Sequence, residues 1–330
     1  MKSIPGSVQA ISVVVPSFNG AAYIGEALQS VIGQTRRPNE VVVVDDASTD
    51  GTPERVAKLA RTAPFPIRMI RLEKNSGGPA RPLNVGIAAA AGACIAVLDQ
   101  DDVFASTWLE EAVTILESDD GLGLVFGYCG QLGQPQEIVP PPCGMAALRD
   151  AGEPAGQHRR LPARQALELL VKQGCFVMGY PGFVFRGADW KRKGGADEQL
   201  RISSDYDFLC WLCTGGDVAF LPRIAYWRRD HAANLCRRGT DVYVDILRVK
   251  CRYVLHEPWL LEDHVFRAAF REDVFGLAYW LREAGRYGES LSYYRLLGRW
   301  WGWDARIMWA LAKHAPHWFR RRLAGRAAGV

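Results

Sequence analysis

The chain lacks what membrane-spanning, disulfide-stapled and nucleic-acid-binding proteins need. No stretch of its 330 residues approaches the about 18–20 consecutive apolar residues of a transmembrane helix. The N-terminal run MKSIPGSVQAISVVVPS has one lysine, then Pro5 and Gly6, then an apolar stretch too short for a signal peptide, so no secretory leader is expected. Its eight cysteines (94, 129, 143, 175, 210, 213, 236 and 251) follow no framework spacing, which argues against a disulfide scaffold and fits a reducing cytoplasm. Cys210 and Cys213 form a single C-x-x-C inside an apolar helical pattern. With no second ligand pair, they read as small residues on a buried helix face rather than as a zinc or redox site. A formal net charge of +4 is too small at this length to indicate nucleic acid, and no such partner is expected. No internal repeat is visible.

What is present is an ordinary globular composition, 48% hydrophobic and 23% charged. That is enough for one large α/β domain with an appendage, or for two modest domains. Acidic residues crowd the loops of the first half. Arginines and seven of the eleven tryptophans crowd the last third.

The first hundred residues alternate strand and helix signals. ISVVV (11–15), EVVVVDD (40–46) and ACIAVLD (93–99) are continuous β-rich runs of the buried kind, and IRMIRL (67–72) alternates. Between them, Tyr23, Ile24, Ala27, Leu28, Val31 and Ile32 recur at helical spacing until Arg36, Arg37 and Pro38. Thr52 and Pro53 read as N-cap and first residue of a second helix, and an alanine-rich helix follows the NSGGPARP turn. This βαβ order predicts a doubly wound, mostly parallel, Rossmann-like sheet. Ligands bind at the C-terminal strand ends of such sheets, and the polar residues sit there. Pro16 to Asn19, Asp45 and Asp46, Asn75 to Gly78, and Asp99 to Asp102 follow the four strands in turn. A helix at about 106–118 and a strand GLVFGYC come next. Residues 130–162, rich in Gly, Pro and Gln, read as a loop or flap. YPGFVFR, a helix through Tyr206 to Leu212 and DVAFL complete the domain, and from Thr240 onward the pattern is helical.

Two carboxylates at i and i+2 on a strand end point the same way. Asp99 and Asp101 can therefore converge on one ligand, while Asp102 faces elsewhere or caps the next helix. Hard carboxylate oxygens suit Mn²⁺ or Mg²⁺, and such ions bridge phosphate oxygens. A solvated loop with capping aspartates is the alternative for the tetrad taken alone.

VVVPSFNGAAYIGEALQSVIGQT, then EVVVVDDASTDGT, the NSGG turn and GACIAVLDQDD together resemble the donor-binding half of family 2 glycosyltransferases of GT-A fold. The resemblance covers about the first 110 residues, with four loops matching in order and spacing. It implies donor contacts from Pro16, Phe18 and Asn19 in the first loop, with Phe18 stacking on the nucleotide base. It further implies that Asp45 and Asp46 read the base, that Asp99 lies near the ribose and that Asp101 holds the metal. Arg81, in the segment GGPARPLNVG, is a candidate for base or phosphate; near Asn84 the register departs from the family's, and a surface arginine is the other reading. ISSDYDFLCWL (202–212) matches the family's base motif except that Ser204 stands where a glutamate is usual. Asp205 is the implied general base and Asp207 a helix N-terminal carboxylate, capping being the alternative for both. YWRRDHAANLCR (226–237) resembles a further segment through Arg229, His231 and Asn234. His231 is thereby a second metal contact, and Arg229 a phosphate contact.

The resemblance thus implies an inverting, metal-dependent transfer from a nucleotide-diphosphate sugar, UDP foremost, to a saccharide or lipid-linked saccharide in surface polysaccharide or glycoconjugate biosynthesis. The expected domains are 1–239, a GT-A catalytic domain with a donor half (about 1–118) and an acceptor half (about 119–239), and 240–330, a helical Trp/Arg-rich region. Tryptophan beside arginine fits contact with an anionic membrane interface; packing on the catalytic domain, or on a second subunit as a homodimer, is the other reading. The expected location is the cytoplasm, peripheral at the inner face of the cell membrane. A receiver-like domain that binds metal and phosphate would share the aspartates at strand ends but would be shorter and would not need the Asp205 and His231 segments. A nucleotidyltransferase would need a glycine-rich basic grip that the first loop lacks. A non-catalytic membrane scaffold is the third alternative.

Overall fold

A computed structural model describes residues 9–200, 202–232, 234 and 239–314. The expectations on Cys236 and on residues 315–330, Trp318 included, lie outside them. The chain forms two compact units, Met1–Asp245 and Ile246–Val330.

The first unit is built on β1 (Ile11–Ser17), β2 (Glu40–Asp45), β3 (Ile67–Arg71) and β4 (Cys94–Val97), with α1 (Ile24–Ile32), α2 (Thr52–Ala60) and α3 (Ala80–Ala89) as the crossovers. The four strands run parallel in the order β3-β2-β1-β4. Every residue of β1, β2 and β4 is buried, as continuous apolar runs require when helices cover both faces. β3 lies at the sheet edge and is only partly buried, which accounts for its alternation. Val13, Val15, Val41 and Val43 face a core shared with Ala27, Leu28, Val31 and Val56 of α1 and α2. On the other face, Gly86 of α3 sits against Val14 and Val44. A Cβ there would lie 2.5 Å from Val14 Cγ1 and 2.9 Å from Val44 Cγ2. α2 begins one residue from expectation, with Thr52 already helical and Gly51 before it, because the Asp50 carboxylate accepts the Thr52 N–H at 3.0 Å.

Beyond β5 (Val103–Phe104) and α4 (Trp108–Ser118), the sheet continues through β6 (Leu122–Gln131), β7 (Gln134–Val139), β8 (Glu153–Ala155), β9 (His158–Leu161), β10 (Phe183–Arg186) and β11 (Asp217–Arg228). β10 runs antiparallel to both β4 and β6, β11 runs parallel to β6, and β5, β7 and β9 pair antiparallel around them. The result is the expected doubly wound, mostly parallel α/β architecture of GT-A type, with a helical C-terminal region.

Residues 130–162 are not a structureless flap. They hold the β6–β7 hairpin, α5 (Met145–Asp150) and the β8–β9 hairpin, with β9 paired to β11. The glycines that read as loop are turn residues: Gly133 (φ 84°) and Gly156 (φ 69°) sit between the hairpin strands. The polar strand β9 is held by partners remote in sequence, since Arg160 pairs with both Asp119 and Asp217. α6 (Ala163–Glu168), α7 (Gly187–Lys193) and α8 (Ser204–Leu212) complete the unit, with Cys210 and Cys213 buried as expected. α9 (Gly239–His256) leads into the second unit, formed by α10 (His264–Glu283), α11 (Tyr287–Trp301) and α12 (Ala305–Ala312). Among the described residues, no helix is long and apolar enough to cross a membrane.

The Gly86 contact makes a prediction. Alanine is the better helix former, yet Gly86→Ala should destabilise the first unit by about 1–3 kcal/mol through overpacking. Urea unfolding with an unchanged m value would register this; a variant as stable as the parent would mean that α3 moves off the sheet freely.

Candidate active site

Parallel pairing of β1 with β2 and β4 brings three strand ends level: Ser17 lies opposite Asp45, and the Leu98 N–H donates to the Val14 carbonyl at 3.0 Å. The loops that follow are tied to one another. Asn19, in a left-handed conformation (φ 49°), donates its N–H to Ser48 Oγ at 2.8 Å, and its Oδ1 accepts the Thr49 N–H at 2.8 Å. Pro16 is buried in β1 opposite Val44, whereas Phe18 is 42% exposed and is the apolar face this loop presents. Asp45 is fully buried, accepts the Ser48 N–H at 3.3 Å and pairs with Arg71 at 3.4 Å. Asp46 accepts the Ser76 N–H at 3.0 Å, the Ser76 hydroxyl at 2.8 Å and the Asn75 amide at 3.1 Å. It thereby shapes the NSGG turn. Arg81 is exposed on the first turn of α3.

Asp99, ringed by protein though not closed off from solvent, has its carboxyl pushed up to about 7. Burial is the main cause, followed by the charges of Asp101 and Asp205, with Arg228 pulling the other way. Asp101 Oδ2 lies 2.7 Å from His231 Nε2, and each side chain is 18% exposed. Asp102 does not cap α4, which starts six residues later. It is buried and accepts the Arg229 N–H at 3.0 Å. Burial and the charges of Asp99 and Asp101 hold its carboxyl well above the usual range. Arg229 donates from Nε to the Asp101 carbonyl at 3.1 Å, and its guanidinium pairs with Glu26 and lies 5.1 Å from the Tyr23 ring centre. Asn234 Oδ1 accepts the His231 N–H at 2.6 Å and so sets the turn that presents the imidazole.

Asp205 stands on the first turn of α8. Burial pushes its carboxyl up to about 6, against the pull of the Tyr206 N–H and its own. Its charge raises Asp99 and the buried Tyr180 hydroxyl, so it shares their electrostatic environment. Asp207 turns away: fully buried, it pairs with Lys193 of α7 at 2.5 Å. Asp205 also accepts first-turn N–H groups of α8, whereas the N-cap residue, Ser203, makes no side-chain cap.

The donor set around Asp101 fits a divalent cation in part. Carboxylate and imidazole suit Mn²⁺ or Mg²⁺, but among the described residues no three His, Cys, Asp or Glu side chains converge as a protein-only site. Such ions are commonly held by one or two protein groups, with phosphate oxygens and water completing the shell.

Sequence reasoning missed several participants. Gln100 clamps the first loop, its Oε1 accepting the Ser17 hydroxyl at 2.7 Å and the Phe18 N–H at 3.0 Å, and its Nε2 donating to the Phe18 carbonyl at 3.0 Å. Arg228 supplies the positive charge facing Asp99 and Asp102. Tyr23, assigned by periodicity to the apolar face of α1, is only partly buried and stacks on His231. Its place in Y-I-G-E, one residue before α1 begins, was the available signal.

Residues 12–173 match the Glycosyl transferase family 2 model. The succinoglycan biosynthesis protein ExoO of Rhizobium meliloti is 45% identical over 224 residues, 66% of this chain and 59% of that one. An uncharacterized glycosyltransferase of Nostoc sp. is 36% identical over 115 residues, 35% of each chain, so this chain spans only part of the length of such relatives. In fold, the chain resembles Staphylococcus aureus TarS 1–349 solved with UDP-GlcNAc (TM-score 0.61, 22% identity, covering 87% and 81% of the two chains). It also resembles the mannosyltransferase PcManGT of Pyrobaculum calidifontis solved with GDP-Man and Mn²⁺ (TM-score 0.59, 21% identity, 94% and 88%). Through the segment carrying its first three loops and the Asp99–Asp102 tetrad, the chain belongs to glycosyltransferase family 2, with the GT-A fold.

Proposed function

We propose that this protein is an inverting, metal-dependent glycosyltransferase that moves a hexosyl-type sugar from a nucleotide-diphosphate donor to a hydroxyl of a saccharide or lipid-linked saccharide. The observation that carries the reading is the meeting of Asp99, the Asp101–His231 pair and Asp205 at one end of the sheet. UDP is the favoured nucleotide. TarS, solved with UDP-GlcNAc and 38% identical over 132 residues, supports that choice, and ExoO supports a place in polysaccharide assembly. The catalytic domain is 1–239 and the helical region 240–330, with the protein working from the cytoplasm at the inner membrane face.

Phe18 stacks on the base beside Pro16, while Asn19, Asp45 and Asp46 hold the base-side loops in shape. Asp99 takes the ribose, and Arg81 and Arg229 lend positive charge toward the diphosphate. A divalent cation, when bound by Asp101 and His231, counters the negative charge that develops on the departing nucleoside diphosphate. Asp205 accepts the proton of the acceptor hydroxyl as that oxygen bonds to the anomeric carbon and the bond to the diphosphate breaks. A carboxylate raised to about 6 is a stronger base than an exposed one, yet still largely ionised at neutral pH.

Three outcomes are expected. Asp205→Asn should lower transfer by about 10²–10⁴-fold while leaving UDP-induced thermal stabilisation intact; normal transfer by this variant would sink the base assignment. Because the working form is deprotonated, kcat/KM should fall about tenfold per pH unit below about 6, and a profile flat down to pH 4 would contradict it. Asp101→Ala should remove the Mn²⁺-dependent part of UDP stabilisation and donor turnover together, and retention of both would move the metal elsewhere.

A further inference from the structure

α12 has an apolar inner face, with Ile307 and Ala310 buried. Its outer face is also largely apolar: Met308 is 56% and Trp309 64% exposed, with Ala305 and Ala312 exposed beside them. Trp303, just before the helix, is 55% exposed. The charges beside it are mixed, with Asp304 and Glu272 partly exposed among Arg271, Arg306 and Lys313. Lys313 Nζ stands over the Trp309 ring, 3.2 Å from its centre, and Arg306 pairs with Glu272 of α10. From Ala305 to Val330 the sequence holds six Arg or Lys residues and no acid. A helix apolar all round is normally covered on both sides. A second copy would bring the net positive charge of its own 305–330 sequence against the same charge, whereas an anionic bilayer offers apolar depth and opposite charge together.

We infer that the outer face of α12, through Trp303, Met308 and Trp309, docks on an anionic phospholipid surface. This deepens the peripheral placement proposed above and does not depend on the donor chemistry. The test is co-sedimentation of the full chain with phosphatidylglycerol–phosphatidylcholine vesicles and with phosphatidylcholine alone, at low and high salt. Binding is expected to the anionic vesicles only and to weaken with salt. Met308→Ser with Trp309→Ser should weaken it by about tenfold or more at an unchanged Tm. Wild-type binding that survives this double substitution would overturn the α12 assignment while leaving peripheral placement standing. Absence of wild-type binding would overturn both, as would a dimer in sedimentation velocity that the same substitutions abolish.

A separate observation concerns α1. The Tyr23 and His231 rings stack, with centres 5.1 Å apart and planes within 16°, and Glu26 holds Arg229 from the same turn. Further along, Ser30 Oγ accepts the Phe104 N–H at 3.1 Å, Gln34 donates to the Ala105 carbonyl at 2.8 Å and Gln34 Oε1 accepts the Leu109 N–H at 3.1 Å. α1 and the residues flanking it thus grip the chain just after the acidic tetrad and also the segment that brings His231 to it. The geometry points to Tyr23 and Glu26 as positioning residues for the Asp101–His231 pair, an inference that rests on the metal role proposed for that pair. In Tyr23→Ala, the upfield ring-current shift of the His231 imidazole protons should vanish and calorimetric UDP affinity in Mn²⁺ should drop about tenfold or more, with UDP binding in EDTA and Tm unchanged. Tyr23→Phe, which keeps the stack, should restore both. Wild-type affinity in Tyr23→Ala would overturn positioning, as would loss in Tyr23→Phe equal to that in Tyr23→Ala. A wild-type protein with the ring-current shift but no Mn²⁺ dependence would instead overturn the metal role, and with it the purpose of the stack.

Discussion

The short antiparallel ladder between β5 and β11 is the constraint on which the site depends. Tyr226 pairs with Phe104 and Trp227 with Val103, and the Arg229 N–H donates to Asp102, 127 residues away in sequence. This ladder carries the end of β11 across the acidic tetrad, so that Arg228 and Arg229 arrive as counter-charges and His231 as a partner for Asp101. Without it, three neighbouring aspartates would face one another in partly buried surroundings with little to offset their repulsion.

The electrostatics follow from that meeting. Asp99 and Asp205 are both held above the ordinary carboxylate range, chiefly by burial, and Asp99 also by its acidic neighbours. Some structural acids in the same unit behave differently. Glu40, which bonds Ser12, Ala91 and Arg68, and Glu117, which bonds Arg36, have their carboxyls lowered. Burial raises the structural Asp189 of α7 as well, although it pairs with Arg192, so what sets the site apart is that Asp99 is raised by neighbouring carboxylates in addition to burial.

Much of the first unit was legible in the sequence because its strands are continuous apolar runs and its loops short. Those features report a parallel sheet directly, and the register of such a sheet carries the polar ends to one edge. Asp101 and His231 were each legible as motif residues. Residues 130–162 were misread because β9 is polar, and Arg160 stabilises it through Asp119 and Asp217, partners that no local pattern can announce. Tyr23 was misplaced because helical spacing cannot tell a core position from one that stacks on a distant ring.

The sequence by itself determined the sheet class, the family and the identity of the acidic tetrad, because all three reside in local runs and short spacings. Tertiary structure alone decided the division of labour: Asp102 to the Arg229 backbone, Asp207 to Lys193, Asp46 to the NSGG turn, and Gln100 to the Phe18 loop. The physical reason is that a carboxylate's role follows from which donors and charges surround it once the chain has folded. Most of those partners come from other strands or helices, too far along the chain for spacing to reveal.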